Sequence, residues 1–288
     1  MQFDGLDSFL RQGRDLLAKG PIAMVFAEDQ VELDTTLRHH RDAGFRQVLL
    51  FAPDAFALPD DLKADVHRIR HSMAEEHALT RAVNAVNEAA PPGTWLYYCY
   101  NSEFLFHPFC ETRTVGELLT FHTEERRDAM LTYVIDLYAD DLEQFPLAVS
   151  IERAHLDRAG YYALARNDEW GNARDRQLDF HGGLRWRYEE HIPEARRKID
   201  RVSLFRARPG LVLGENYLFN DQEYNTYSCP WHHNLTACIC SFRTAKALKS
   251  NPGSRDEIGS YYWHNSEKFE WHSRQLMDLG LMEPGQWF

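Results

Sequence analysis

The stretch Trp95-Leu96-Tyr97-Tyr98-Cys99-Tyr100-Asn101-Ser102-Glu103-Phe104-Leu105 runs from an aromatic strand into a polar triplet that carries a carboxylate. In an open α/β sheet ligands sit just beyond the carboxyl ends of the strands, so Asn101, Ser102 and Glu103 stand where chemistry is usually done. Upstream, Leu79, Ala82, Val83, Val86 and Ala90 recur at helical spacing, and Pro91-Pro92-Gly93 forces a turn into the strand.

The same logic repeats toward the N-terminus. An amphipathic helix precedes the apolar run Ile22 to Ala27, which ends at Glu28-Asp29. A helix pattern through Leu33, Leu37 and Ala43 closes at Gly44, and Gln47 to Phe51 gives a second strand before Ala52-Pro53-Asp54. Strands alternating with helices predict a parallel sheet with right-handed crossovers. No Gly-x-Gly-x-x-Gly fingerprint follows any of these strands, which argues against a dinucleotide site.

Beyond Glu103 the pattern loosens. Thr114-Val115-Gly116-Glu117 has the form of a capping box and predicts a helix carrying Leu118, Leu119 and His122. Tyr133 to Tyr138 alternates as a strand does, with a helix as the competing reading. Arg201 to Ala207, Leu211 to Leu213 and Ala237 to Phe242 are further strand expectations, with helices near Thr244 to Lys249 and Ser266 to Asp278. Cys238 and Cys240 read as one face of a buried strand.

The chain of 288 residues is long enough for a substantial core, and no run approaches the ~20 apolar residues of a membrane span. Met1 to Gly20 is broken by Asp4, Asp7, Arg11, Arg14 and Lys19, unlike a signal peptide, so the expected location is cytoplasmic. Five cysteines without dense spacing do not suggest a disulfide scaffold. A net charge of −12 argues against general nucleic-acid binding. Arg174 to Arg208 nonetheless carries ten Lys or Arg against six Asp or Glu, a basic zone that could meet a diphosphate or, equally, a solvated face laced with ion pairs.

The strand-end segment resembles the motif of family 2-like glycosyltransferases with the GT-A fold, where aspartate, any residue, aspartate, glutamate and phenylalanine follow such a strand. Tyr100 and Ser102 occupy the two aspartate positions, and Glu103 alone of the acids is kept. Glu28, His39, His40, Gly44 and Phe45 match the family's opening pattern, Gly182-Gly183-Leu184-Arg185 is similar to a Gly-Gly-x-Arg element, and Arg201 to Gly210 is similar to the segment that follows. The resemblance implies one GT-A-like domain over 1–288, a Rossmann-type mixed sheet flanked by helices, with residues 20–105 as the nucleotide-sugar half and 106–288 as a looser acceptor-side half.

It also implies roles. Glu103 is the expected catalytic carboxylate, with Asp221 in reserve as the base. The donor site would draw on Ala27, Glu28, Asp54, Arg81, Asn101, Ser102, His181, Gly182, Gly183, Arg185 and His232. A divalent cation, manganese or magnesium, would be held weakly or not at all, because Tyr100 and Ser102 offer only neutral oxygens. Arginines, Arg185 and Arg187 among them, would then share the diphosphate charge.

Each assignment has a plainer counterpart. Glu103 could pair with Arg81 or Arg113, Asp221 and Glu223 could be solvated loop acids, and one of His232 and His233 could cap a turn. Most of the seven tryptophans and thirteen tyrosines suit core packing as well as sugar stacking. The expected activity is transfer of a sugar from a nucleotide donor to a hydroxyl acceptor. A catalytically lapsed relative that binds nucleotide or glycan is the first alternative, and a metal-dependent hydrolase the second, though no His-Glu-x-x-His pattern occurs.

Overall fold

The computed structural model describes residues 1–230 and 233–287, so Trp231, His232 and Phe288 lie outside it. Three apolar runs set its central strands: β2 (Ile22–Phe26), β3 (Gln47–Ala52) and β5 (Trp95–Tyr100). β2 and β5 are buried at every position, as expected of strands covered on both faces. β1 (Gln2–Phe3) and β4 (Val66–Arg70) complete a parallel set in the order β1-β4-β3-β2-β5. The strand Asp200–Arg206 then pairs antiparallel with β5, Leu204 opposite Tyr97, which makes the sheet mixed.

Helices flank these strands. In α3 (Leu33–Asp42) the buried residues Leu33, Thr36, Leu37 and His40 fall on one stripe, and α4 (Ala78–Ala89) buries Ala78, Leu79, Ala82, Val83 and Val86 the same way. Gly44, at φ 93°, ends α3 as expected. A Cβ there would lie 3.1 Å from Thr114, the residue that opens the helix Val115–Glu124 through a reciprocal Thr114–Glu117 capping box. The N-terminal helix is two pieces, α1 (Leu6–Gln12) and α2 (Arg14–Leu17), separated at Gly13.

Contacts divide the chain into two compact units, one of Met1–Phe104, Thr112–Leu131 and Val202–Asn225, the other of Leu105–Glu111, Thr132–Arg201 and Thr226–Phe288.

In the second unit Thr132 to Asp136 pairs in parallel with Ala237–Ser241, whose Cys238 and Cys240 are fully buried. A hairpin of Tyr162–Asn167 and Ala173–His181 and a small antiparallel sheet of Tyr138–Ala139, Ala154–Asp157 and Ser266–Lys268 surround it in sequence. Tyr138, Leu184, Ala245, Leu248 and Tyr261 share one apolar cluster. Two expectations are corrected. Leu211 to Leu213 forms only a single bridge, Leu213 to Phe219, and Ser266 to Asp278 begins as strand, with helix confined to Ser273–Asp278.

Candidate functional site

The chain runs outward from β2 to β3 to β4 and then returns to β5 on the other side of β2. The carboxyl ends of β2 and β5 thus flank a topological switch point, the place where open α/β sheets bind ligands. Ala27 and Glu28 leave β2 there, and Asn101, Ser102 and Glu103 leave β5.

Asn101 links the two loops. Its Oδ1 accepts the Glu28 N–H at 2.9 Å, and its Nδ2 donates to Asp29 Oδ1 at 2.6 Å and to the Val31 carbonyl at 2.9 Å. Ser102, at φ 61°, is held in the left-handed region by two bonds: its Oγ donates to the Val31 carbonyl at 2.7 Å and its N–H to Thr36 Oγ1 at 2.9 Å. Both residues are fully buried.

Glu103 opens the strand Glu103–Phe106, is 0% exposed, and turns back so that Oε2 accepts the Tyr100 N–H at 2.8 Å. Arg81 pairs with Glu75 on the surface. Ala27 is buried and donates to the Phe51 carbonyl, Glu28 is exposed, and Asp54 is exposed with Arg70 at 3.6 Å. Asp221 accepts from Arg208 at 2.6 Å, and that bond with its charge holds the carboxyl below its usual range.

Tyr100 Oη pairs with Tyr217 Oη at 2.8 Å, Ser102 Oγ is spent on Val31, and Asp29 Oδ1 accepts from both Asn101 and the Val31 N–H. Among the described residues no group of three or more His, Cys, Asp or Glu is placed to hold a metal ion.

The expected donor residues of the second unit have other local partners. Arg185 donates to the Lys198 carbonyl at 2.6 Å and to Thr244 at 3.2 Å, with Asp136 at 3.5 Å; Arg187 meets Asp157 at 3.1 Å beneath the Trp263 ring. Both guanidinium groups are largely buried rather than presented to solvent. His181 stacks on Tyr162. Gly182 lets the Tyr161 ring approach so closely that a Cβ would meet it at 2.2 Å, and Gly183, at φ 61°, faces Asp136. His232 lies outside the described residues.

Three residues near the sheet edge had no role assigned from sequence, although Asp29 was noted as half of an acidic pair. Asp29 and Thr36 anchor the loop joined by Asn101. His71, just after β4, sets its ring edge-on to Phe26 and Phe51, and burial lowers its pKa. Its Nε2 is buried without a hydrogen-bond partner among the described residues. The signal available was position, since His71 follows a strand whose charged residues hid it.

No protein-family model matches the sequence, and a comparison with curated proteins finds no match. Among the described residues no helix is long and apolar enough to cross a membrane.

Proposed function

We propose that the chain is a cytoplasmic glycosyltransferase of GT-A type, similar to family 2, that moves a sugar from a nucleotide donor to a hydroxyl acceptor. One observation carries this reading: the β2/β5 switch point is flanked by two polar, acid-bearing loops that Asn101 ties into a single edge. Buried side-chain bonds fix the backbone there before any ligand arrives, which favours tight positioning of a nucleotide. Glu28, exposed at the end of β2, is the acid this reading assigns to the ribose. Glu103 is the carboxylate nearest the strand end, and its Oε2 already accepts the Tyr100 N–H.

The full burial of Glu103 and its bond to the Tyr100 N–H support a second reading, a nucleotide-binding module without transfer. A panel of nucleotide sugars, with manganese or with chelator, separates the two. A ligand at 100 times its dissociation constant stabilises by about 2.7 kcal/mol, a clear thermal shift. Stabilisation together with release of free nucleoside diphosphate is the expected result for the transferase. Stabilisation without release under any acceptor supports the binding module, and the absence of any shift across the panel overturns both.

A further inference from the structure

Within the second unit, a cavity of about 250 Å³ is lined by Tyr133, Ile135, Tyr161, Tyr162, Phe180 and Glu283 among others. Tyr133 and Ile135 share one face of the strand Ala129–Asp136, being two residues apart. Phe180 comes from the hairpin strand Ala173–His181, and its ring meets Tyr133 at 4.7 Å and 62°, so that two aromatic walls form a corner. Tyr162 is backed by the His181 ring at 5.1 Å. The Tyr161 hydroxyl is buried with no hydrogen-bond partner among the described residues.

The charge of this lining is one-sided. It contains no lysine or arginine, and its single carboxylate is Glu283, whose side chain is exposed and near enough to Tyr133 to join burial, Cys238 and Asp200 in raising that phenol's pKa. Aromatic faces carry negative potential, so ring walls with a carboxylate attract a cation and repel phosphates and carboxylates. The hydrogen-bonding side chains of the lining are three tyrosine hydroxyls and the Glu283 carboxylate. The volume lies just below the ~300–1,000 Å³ of drug-sized pockets and suits a compact group rather than a nucleotide.

We propose that this cavity binds a small organic cation of the methylated-ammonium type, its methyl groups against Tyr133, Tyr162 and Phe180, its charge balanced by Glu283, and a polar end bonded to the Tyr161 hydroxyl. The site is independent of the switch-point reading and stands whether or not the chain transfers sugars.

The test is calorimetry on the full chain with choline and with dimethylbutanol, its neutral analogue in which carbon replaces the ammonium nitrogen. Choline is expected to bind roughly tenfold more tightly than the neutral analogue, the size of a desolvated cation–π preference. Glu283→Gln and Tyr162→Ala, both at exposed positions, should each weaken choline binding several-fold while leaving the thermal midpoint in place. Equal binding of the two probes, binding of neutral hexoses in preference to choline, choline binding untouched by both substitutions, or no choline binding at all would each overturn the proposal.

Discussion

The side-chain carbonyl of Asn101 accepts the backbone N–H of Glu28 at 2.9 Å, so the loop leaving β2 is held by a residue that leaves β5, 73 positions later. The same amide donates to Asp29 and Val31, which satisfies a fully buried polar side chain. Asn101→Ala strands the Glu28 N–H and removes one of the two donors to the Val31 carbonyl, the other being Ser102 Oγ. A loss of about 1–3 kcal/mol is expected, read by chemical denaturation, with faster amide exchange confined to residues 28–36.

Glu103 separates two roles by substitution. Glu103→Gln keeps an oxygen for the Tyr100 N–H and should hold stability to within about 1 kcal/mol, whereas Glu103→Ala leaves that amide unbonded and should lose more. In the proposed transferase, Glu103→Gln lowers turnover by roughly 10²- to 10⁴-fold. Unchanged turnover per folded molecule would assign the carboxylate to closing the turn alone.

Two buried histidines make the first unit acid-sensitive. Burial, aided by the neighbouring His39, lowers the pKa of His40 to about 3, and burial lowers that of His122 to about 4 despite its bond to the Ala129 carbonyl. The unfolded chain takes up these protons near the ordinary value of 6.5, so their stabilising effect is full above it and lost as pH falls toward about 4 and then 3. Each contributes a slope of at most ~1.4 kcal/mol per pH unit. Denaturation midpoints at pH 7 and pH 5 should show the fall, and His122→Gln should make it shallower.

Arg166 lies between two acids in the second unit, with Asp200 at 2.6 Å and Asp179 at 2.7 Å. Burial pushes the Asp200 carboxyl up; at the more exposed Asp179, Arg166 and Lys198 outweigh burial and hold it down. Arg166→Met leaves Asp200 buried without its cation and should destabilise by about 3–5 kcal/mol in thermal or urea unfolding. Asp179→Asn, where solvent already reaches the group, should cost less.

What could be read from the sequence followed burial. β2, β3 and β5 are covered on both faces and therefore appear as unbroken apolar runs, and the Thr114–Glu117 capping box marked its helix by local chemistry alone. β4 was hidden because Val66-His67-Arg68-Ile69-Arg70 alternates charge with apolar residues, and Arg68 spends its guanidinium on the Pro53 carbonyl. The strand Tyr162–Asn167 is mostly exposed, so it has no apolar period to detect. At the candidate site, position was legible but orientation was not. Sequence placed Asn101, Ser102 and Glu103 at a strand end, yet their inward bonds depend on Val31, Thr36 and the turn itself, contacts that no local pattern encodes.

The strand β1 is only two residues long, yet it occupies the outer edge beside β4, where Arg68 N–H donates to the Met1 carbonyl at 2.9 Å and Phe3 packs edge-on to Phe9 at 5.2 Å. Those few residues pair with Arg68 and Ile69 and so cover part of a strand edge that would otherwise template pairing with another chain. A chain lacking residues 1–5 should therefore keep its β2/β5 edge but scatter light at concentrations where the chain with them stays dispersed, the β4 edge being uncovered.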